Sequence, residues 1–315
     1  MRQISFHSPV LAETAVDLLI TAVDGTYVDC TLGGGGHSEL ILQRLQSTGK
    51  LIAIDADPDA IHFAGRRLEN YSNLNIVRGF FDQIDVLLME QDFIPVNGFL
   101  FDLGISSHQV NRREKGFSFQ VEGPLDMRFN PGQKMTAEKV INSYSVEELE
   151  EIFRTYGEER FSRAISTRIV EERKSGVIRT TWQLAEIIKK VTPGRMQVKS
   201  LARIFQAIRI EVNQELERLK TGLEMAFNCL DKSGRLVIIS YHSLEDRIVK
   251  EFFRYRETDC VCPPDFPKCV CQKESELRII TKKPVKPEVS EIRENSRSRS
   301  AKLRAAEKLV GYKGI

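Results

Sequence analysis

Short apolar runs alternate with helix-spaced stretches through the first hundred residues. Val10 to Ala22 repeats its apolar positions at helical spacing behind Ser8-Pro9, a good helix start. Thr26 to Cys30 is a β-prone run that ends in the cluster Gly33 to Gly36, and Ser38 to Leu45 reads as the next helix. The alternation continues with a strand at Leu51 to Ile54, a helix at Asp59 to Leu68 and a strand at Leu74 to Val77. A helix at Ile84 to Met89 and a strand at Gly98 to Phe101 follow, and the acids Asp55 and Asp102 close two of these strands. Strands alternating with helices in this way make βαβ units. The expected class is therefore α/β, with a mostly parallel, doubly wound sheet.

The alternation stops after Ser107, and the chain from Asn111 to Ile210 is charged and helical. Helices are expected at Val146–Tyr156, Glu159–Lys174, Trp182–Val191 and Ala202–Met225, the first behind the capping pattern Ser145-x-x-Glu148. A strongly β-prone strand at Arg235 to Tyr241 restores the alternation, followed by a helix at Ser243 to Tyr255. Late strands are expected at Leu277–Thr281 and Ser300–Arg304. This pattern describes an α/β domain over 1–110 and 211–315, carrying an inserted helical domain over 111–210.

Composition changes the picture in two places. With 41% hydrophobic and 29% charged residues, the chain is an ordinary globular protein, and no apolar run approaches the ~20 residues of a membrane span. No secretory signal opens the sequence, so a cytoplasmic protein without membrane partners is expected. The net charge of +2 is unevenly placed, since Arg278 to Ile315 holds eleven Lys/Arg against four Glu. That segment reads either as a solvated tail or as a polyanion-binding strip, joined by Arg112, Arg113 and Arg128.

The strand-to-helix turn at Gly33–Gly36, with an acid nineteen residues beyond it at the end of the next strand, is the layout of a nucleoside-cofactor crevice. In that layout the Asp55 carboxylate accepts ribose hydroxyls. A dinucleotide fingerprint requires a third glycine where Ser38 stands, behind His37. S-adenosylmethionine needs backbone room, a ribose acceptor and an adenine wall instead. Gly79-Phe80-Phe81-Asp82 after the third strand supplies an aromatic for that wall. These features favour S-adenosylmethionine over NAD, while a silent RNA-binding protein on the same fold stands as a third reading.

Longer strings carry a resemblance. Asp29-x-Thr31-Leu-Gly-Gly-Gly-Gly-His37-Ser38, Ala53-Ile-Asp55-x-Asp57-Pro58 and Asp102-Leu-Gly-Ile-Ser-Ser107 resemble signatures of the bacterial MraW/RsmH family, in order. So do Gly123-Pro-Leu-Asp-Met-Arg128, Thr155-Tyr-Gly-Glu-Glu-Arg160 and Ile239-Ser-Tyr-His242-Ser-Leu-Glu-Asp-Arg247. The sequence departs from the family pattern at Gly34, at His108 and at Lys199-Ser-Leu-Ala202. The resemblance implies a class I, Rossmann-like methyltransferase fold with an inserted helical domain. It implies N4-methylation of a cytosine in 16S ribosomal RNA near the decoding centre, on naked RNA or on the assembled small subunit. It also implies cofactor contacts at Gly35, Gly36, His37, Asp55, Phe81, Asp102 and Gln109. Whether the chain acts alone or as a homodimer stays open.

Two residues are expected to carry the chemistry. Cytosine N4 is a poor nucleophile, so an oxygen acceptor on its amino hydrogens is required. Many amino-methyltransferases place an (Asp/Asn)-Pro-Pro-aromatic turn after the fourth strand, where this chain has Asp102-Leu-Gly-Ile. Asp102 serves the cofactor, the amino group or both. His242, in Tyr241-His242-Ser243, is either a second catalytic wall or a hydrogen-bonded structural histidine. Phe117, Phe119, Phe129 and Tyr144 offer rings for stacking a flipped base. Among six cysteines, Cys260-x-Cys262 and Cys269-x-Cys271 are spaced more tightly than the usual zinc-binding pairs. That spacing favours free thiols over a zinc site, so no metal ligand is assigned.

Overall fold

The computed structural model describes residues 9–105, 112–263 and 269–314, which fall into two compact units, Met1–Gly104 with Leu216–Ile315, and Ile105–Glu215. The first unit is built on seven strands in the order β3-β2-β1-β4-β5-β7-β6. These are β1 Thr26–Asp29, β2 Lys50–Asp55, β3 Leu74–Arg78, β4 Val96–Asp102, β5 Leu230–Ser240, β6 Leu277–Ile279 and β7 Lys302–Lys308. The strands from β3 through β5 run parallel, and β7 is antiparallel to both of its neighbours.

Each central strand is apolar on both sides, as a sheet covered on both faces must be. Val28, Ile52, Ile54, Phe99, Phe101 and Ile238 point to one face. They pack there on α4 (Ile84–Met89), α10 (Glu215–Cys229) and α11 (Ser243–Glu257). Tyr27, Leu51, Ala53, Leu100, Val237 and Ile239 point to the other face. There they meet α1 (Ala12–Leu19), α2 (Gly36–Arg44) and α3 (Pro58–Arg67). This two-residue alternation gives the doubly wound arrangement its two separate cores.

The basic C-terminal segment is not a tail. Its last part forms β7, an interior strand between β5 and β6, and its expected strand at Ser300–Arg304 starts at Lys302 and runs to Lys308. Lys302 Nζ and Arg304 Nε both bind Asp246, at 2.9 and 2.6 Å. The strand reads poorly in sequence because its buried Leu303, Ala305 and Ala306 are set among Lys302, Arg304, Glu307 and Lys308.

The second unit has its own core, formed by α5 (Ala137–Ser143), α6 (Val146–Thr155), α7 (Ser162–Glu172), α8 (Thr181–Val191) and α9 (Gln197–Asn213). Ser145 and Glu148 form the expected capping box, and Thr180 with Gln183 forms a second one. The single helix expected over Ala202–Met225 is two helices, broken at Gln214, which adopts φ 53°. The break follows from Asn213, a buried amide that accepts the Phe129 N–H at 2.9 Å and donates to the Met127 carbonyl at 2.8 Å. Helical periodicity runs across the break because both helices are amphipathic, so only these contacts reveal it. Phe117 stacks on Phe129 at 5.6 Å and Phe119 packs edge-on to Phe205 at 5.5 Å. Tyr144 donates to Glu211 at 2.6 Å, so all four rings expected to stack a base pack against this unit's core.

Candidate active site

The turn after β1 is held by a buried acid. Asp29 accepts the Ser38 hydroxyl at 2.6 Å through Oδ2 and the Thr31 N–H at 3.0 Å through Oδ1. One carboxylate thereby ties the end of β1 to the first turn of α2. Gly35 is the N-cap of α2 with φ 76°, a left-handed conformation that disfavours a side chain. A Cβ there would also lie 3.1 Å from Leu68, and at Gly36 it would lie 3.1 Å from Pro9. These glycines are demanded by close packing within the protein as much as by room for a ligand.

Asp55 ends β2 beside this turn. Its Oδ2 accepts the Gly33 N–H and its Oδ1 the Asp57 N–H, both at 2.8 Å. An ionised carboxylate has about four acceptor positions, so two remain for ribose hydroxyls. Burial pushes the Asp55 carboxyl up to about 6, with Asp57 and Asp29 adding to the rise and the two N–H bonds opposing it. The structure thus fits S-adenosylmethionine at the point the ribose requires: a half-buried carboxylate with spare acceptors beside a glycine turn.

Asp102 ends β4. Its N–H donates to Thr31 Oγ1 at 2.7 Å, and its Oδ1 accepts the Tyr241 hydroxyl at 2.7 Å. His37 Nδ1 stands 3.6 Å from Asp102 Oδ2. The other imidazole nitrogen, Nε2, faces the Val10 carbonyl at 3.1 Å. A carbonyl only accepts, so Nε2 carries a proton. Nδ1 and Oδ2 then face one another favourably only when a proton stands between them. Burial raises the Asp102 carboxyl above the ordinary range, while His37 and the Tyr241 hydrogen bond oppose the rise. Burial first, then Asp102, pushes the Tyr241 phenol well up, so it is a donor.

The other expected site residues lie as follows. His242 caps α11, its Nδ1 accepting the Glu245 N–H at 3.4 Å, while the Glu245 side chain returns to the Tyr241 N–H at 2.9 Å. In the wall Tyr241-His242-Ser243 the side chain that reaches Asp102 is therefore Tyr241. Phe81 opens a short 3₁₀ turn after β3, edge-on to Phe101 at 5.6 Å. A Cβ on Gly222 would approach the Phe81 ring to 2.8 Å, so α10 has a glycine where the ring seats. Gln109 lies outside the described residues. Arg128 is spent on Asp126, at 2.9 and 2.7 Å, and on the Pro131 and Gln133 carbonyls. Sequence reasoning missed the joint role of Thr31 and Tyr241 around Asp102. The pairing of Asp102 with Ile239 in the β4–β5 register is the signal that brings Tyr241 there.

A sheet ordered 3-2-1-4-5-7-6 with only β7 reversed, with an acid ending β2 beside a glycine turn and another ending β4, defines a class I S-adenosylmethionine-dependent methyltransferase. The model of the MraW methylase family matches residues 4–309, and the chain belongs to that family. It is 51% identical over 305 residues to the ribosomal RNA small subunit methyltransferase H of Clostridium botulinum (strain Loch Maree / Type A3), covering 96% of this chain and 99% of that one. A protein of the same name from Caldicellulosiruptor bescii is 50% identical over 304 residues, again covering 96% and 99%.

Proposed function

We propose that this enzyme methylates the exocyclic N4 of a cytosine in small-subunit ribosomal RNA, near the decoding centre, in the cytoplasm. The observation that carries the reading is Asp102: a strand-end carboxylate held at one oxygen by Tyr241 and facing His37 at the other. The names of the relatives supply the RNA. S-adenosylmethionine supplies a methyl group already activated on a sulfonium, so the new N–C bond forms as the C–S bond breaks, leaving N4 one proton in excess.

The protein's task is then positioning and proton removal. Asp55 orients the ribose with its two spare acceptor positions. Gly35, Gly36 and the backbone at His37 border the amino-acid part of the cofactor, Phe81 borders the adenine, and Gln109 completes the set. Asp102 accepts an amino hydrogen of the base, which concentrates the N4 lone pair toward the methyl group. The excess proton is received at Asp102 Oδ2 and shared with His37 Nδ1. His242 is a positioning residue, fixing the Tyr241 backbone through Glu245. In this reading the α/β unit holds the cofactor and the helical unit receives RNA. The exposed ring of Trp182 is a stacking surface there, and Arg297 and Arg299, both exposed, meet phosphates.

The test incubates the full chain with S-adenosylmethionine and either naked 16S ribosomal RNA or purified small subunits, followed by nucleoside mass spectrometry. N4-methylcytosine is expected, and the more active arm identifies the form of the substrate. Methylation at C5 would overturn the mechanism, since that route needs a cysteine nucleophile at the base. Burial raises the Cys30 thiol far above its ordinary range and the Cys229 thiol to about 12, so neither is poised for that role.

A further inference from the structure

The chain between α11 and β6 carries four cysteines that the methyl-transfer site does not use. All four are free thiols, and their sulfurs lie within 4.8 Å of one another. Cys260 and Cys269 are 3.5 Å apart, Cys269 and Cys271 3.5 Å, and Cys260 and Cys271 3.9 Å. These separations far exceed a disulfide bond of about 2.05 Å. They match the edges of a tetrahedron with a zinc ion at its centre, since Zn–S bonds of about 2.3 Å put the sulfurs about 3.8 Å apart. A polynuclear iron–sulfur cluster spreads its cysteines over several irons and so holds the sulfurs further apart.

The backbone repeats this symmetry. The N–H of Val261, inside the first Cys-x-Cys pair, donates to Cys271 Sγ at 3.5 Å. The N–H of Val270, inside the second pair, donates to Cys262 Sγ at 3.4 Å. Each pair thereby supports the last sulfur of the other, as donors around bound thiolates do. One intervening residue is no obstacle, because Cys269 and Cys271 span a full edge of the tetrahedron.

The valines inside the two Cys-x-Cys pairs do not anchor them. Val261 and Val270 are 52% and 65% exposed. The base of the loop is tied by the Glu276 N–H on the Arg256 carbonyl at 2.8 Å and by Arg256, which pairs with Glu276 at 2.8 Å and lies over the Phe227 ring at 4.1 Å. We propose that Cys260, Cys262, Cys269 and Cys271 bind a structural zinc ion that fixes this loop. Four thiolates fill the tetrahedron and leave no open position, so the ion takes no part in methyl transfer.

The full chain, purified without chelator, is expected to contain about one zinc per molecule by elemental analysis. Cobalt in place of zinc should give the intense visible bands of a tetrahedral tetrathiolate. Cys262→Ser and Cys271→Ser should each lower zinc affinity at least ~100-fold. In the wild-type protein, which needs no mutation, chelation should speed proteolysis within the loop, and added zinc should reverse it. The proposal is overturned by protein that takes up no zinc under reducing conditions while its four loop thiols titrate freely. Iron in place of zinc, or a disulfide found by mass in protein kept under reducing conditions, would overturn it equally.

Discussion

The strand-end acids and the cysteine loop are both clusters of like groups, yet the protein completes only one of them by itself. Asp29, Asp55 and Asp102 end three neighbouring parallel strands, and Asp29 raises the other two electrostatically. Each acid nevertheless accepts from donors of the chain: Ser38 and Thr31 for Asp29, Gly33 and Asp57 for Asp55, Tyr241 for Asp102. Such a cluster is preorganised and can wait for its ligand. The cysteine loop brings four sulfurs together with two backbone donors from the pairs themselves, and the valines within those pairs are exposed. A cluster of that kind depends on its ion, because metal binding there is part of folding.

The sharpest way to break this contrast is Asp55→Ala. Two charge-assisted hydrogen bonds to the ribose are worth about 1.5–3 kcal/mol each, so cofactor Kd should rise roughly 10²- to 10⁴-fold. Calorimetry that returned wild-type affinity would remove Asp55 from the site. The fold should survive with a lowered Tm, since the Gly33 and Asp57 N–H groups lose their acceptor.

Asp102→Asn should slow single-turnover transfer about 10²-fold at saturating cofactor. An unchanged rate with a weakened Kd would make Asp102 a cofactor ligand alone. Tyr241→Phe, which deletes the 2.7 Å bond to Asp102, should cost about tenfold in the same assay. It should also move the acid limb of the pH–rate profile upward, because Asp102 loses a donor that favours its ionised form. A profile that does not move would mean that Tyr241 has no hold on the Asp102 charge.

The pH dependence of cofactor binding should be comparable in size. With Asp55 pushed up to about 6, its carboxylate is ionised above that pH and protonated below it. Ribose hydroxyls bind the ionised form better, so Kd should weaken about tenfold between pH 7 and pH 5. The ligand-free fold should respond in the opposite sense to this group, since a raised folded pKa adds stability at low pH that is lost as the pH rises through 6. A Kd flat over that range, or equally pH-dependent in Asp55→Ala, would locate the titration elsewhere. The smallest expected change closes the comparison: chelating the loop metal should leave cofactor Kd within about twofold, because its ligands lie outside the strand-end cluster.

Much of the α/β unit was legible because parallel strands buried on both faces must be apolar throughout, and βαβ order dictates which strand ends meet. The glycine turn, Asp55 and Asp102 could be placed from spacing alone, since the C-terminal ends of parallel strands open on one crevice. Residues that matter through a partner distant in the chain were beyond that reading. Tyr241 reaches Asp102 across 139 positions, and Asn213 breaks a helix by binding Phe129 across 84. The polyanion strip of the sequence became in part an interior strand whose Lys302 and Arg304 serve Asp246. For the cysteines, spacing favoured free thiols, while the fold brings two short pairs face to face. Sequence determined the elements and the chemistry at their ends because local periodicity and turn residues encode both. Tertiary structure decided which side chains share hydrogen bonds, because that depends on strand register and loop closure, and no local pattern records either.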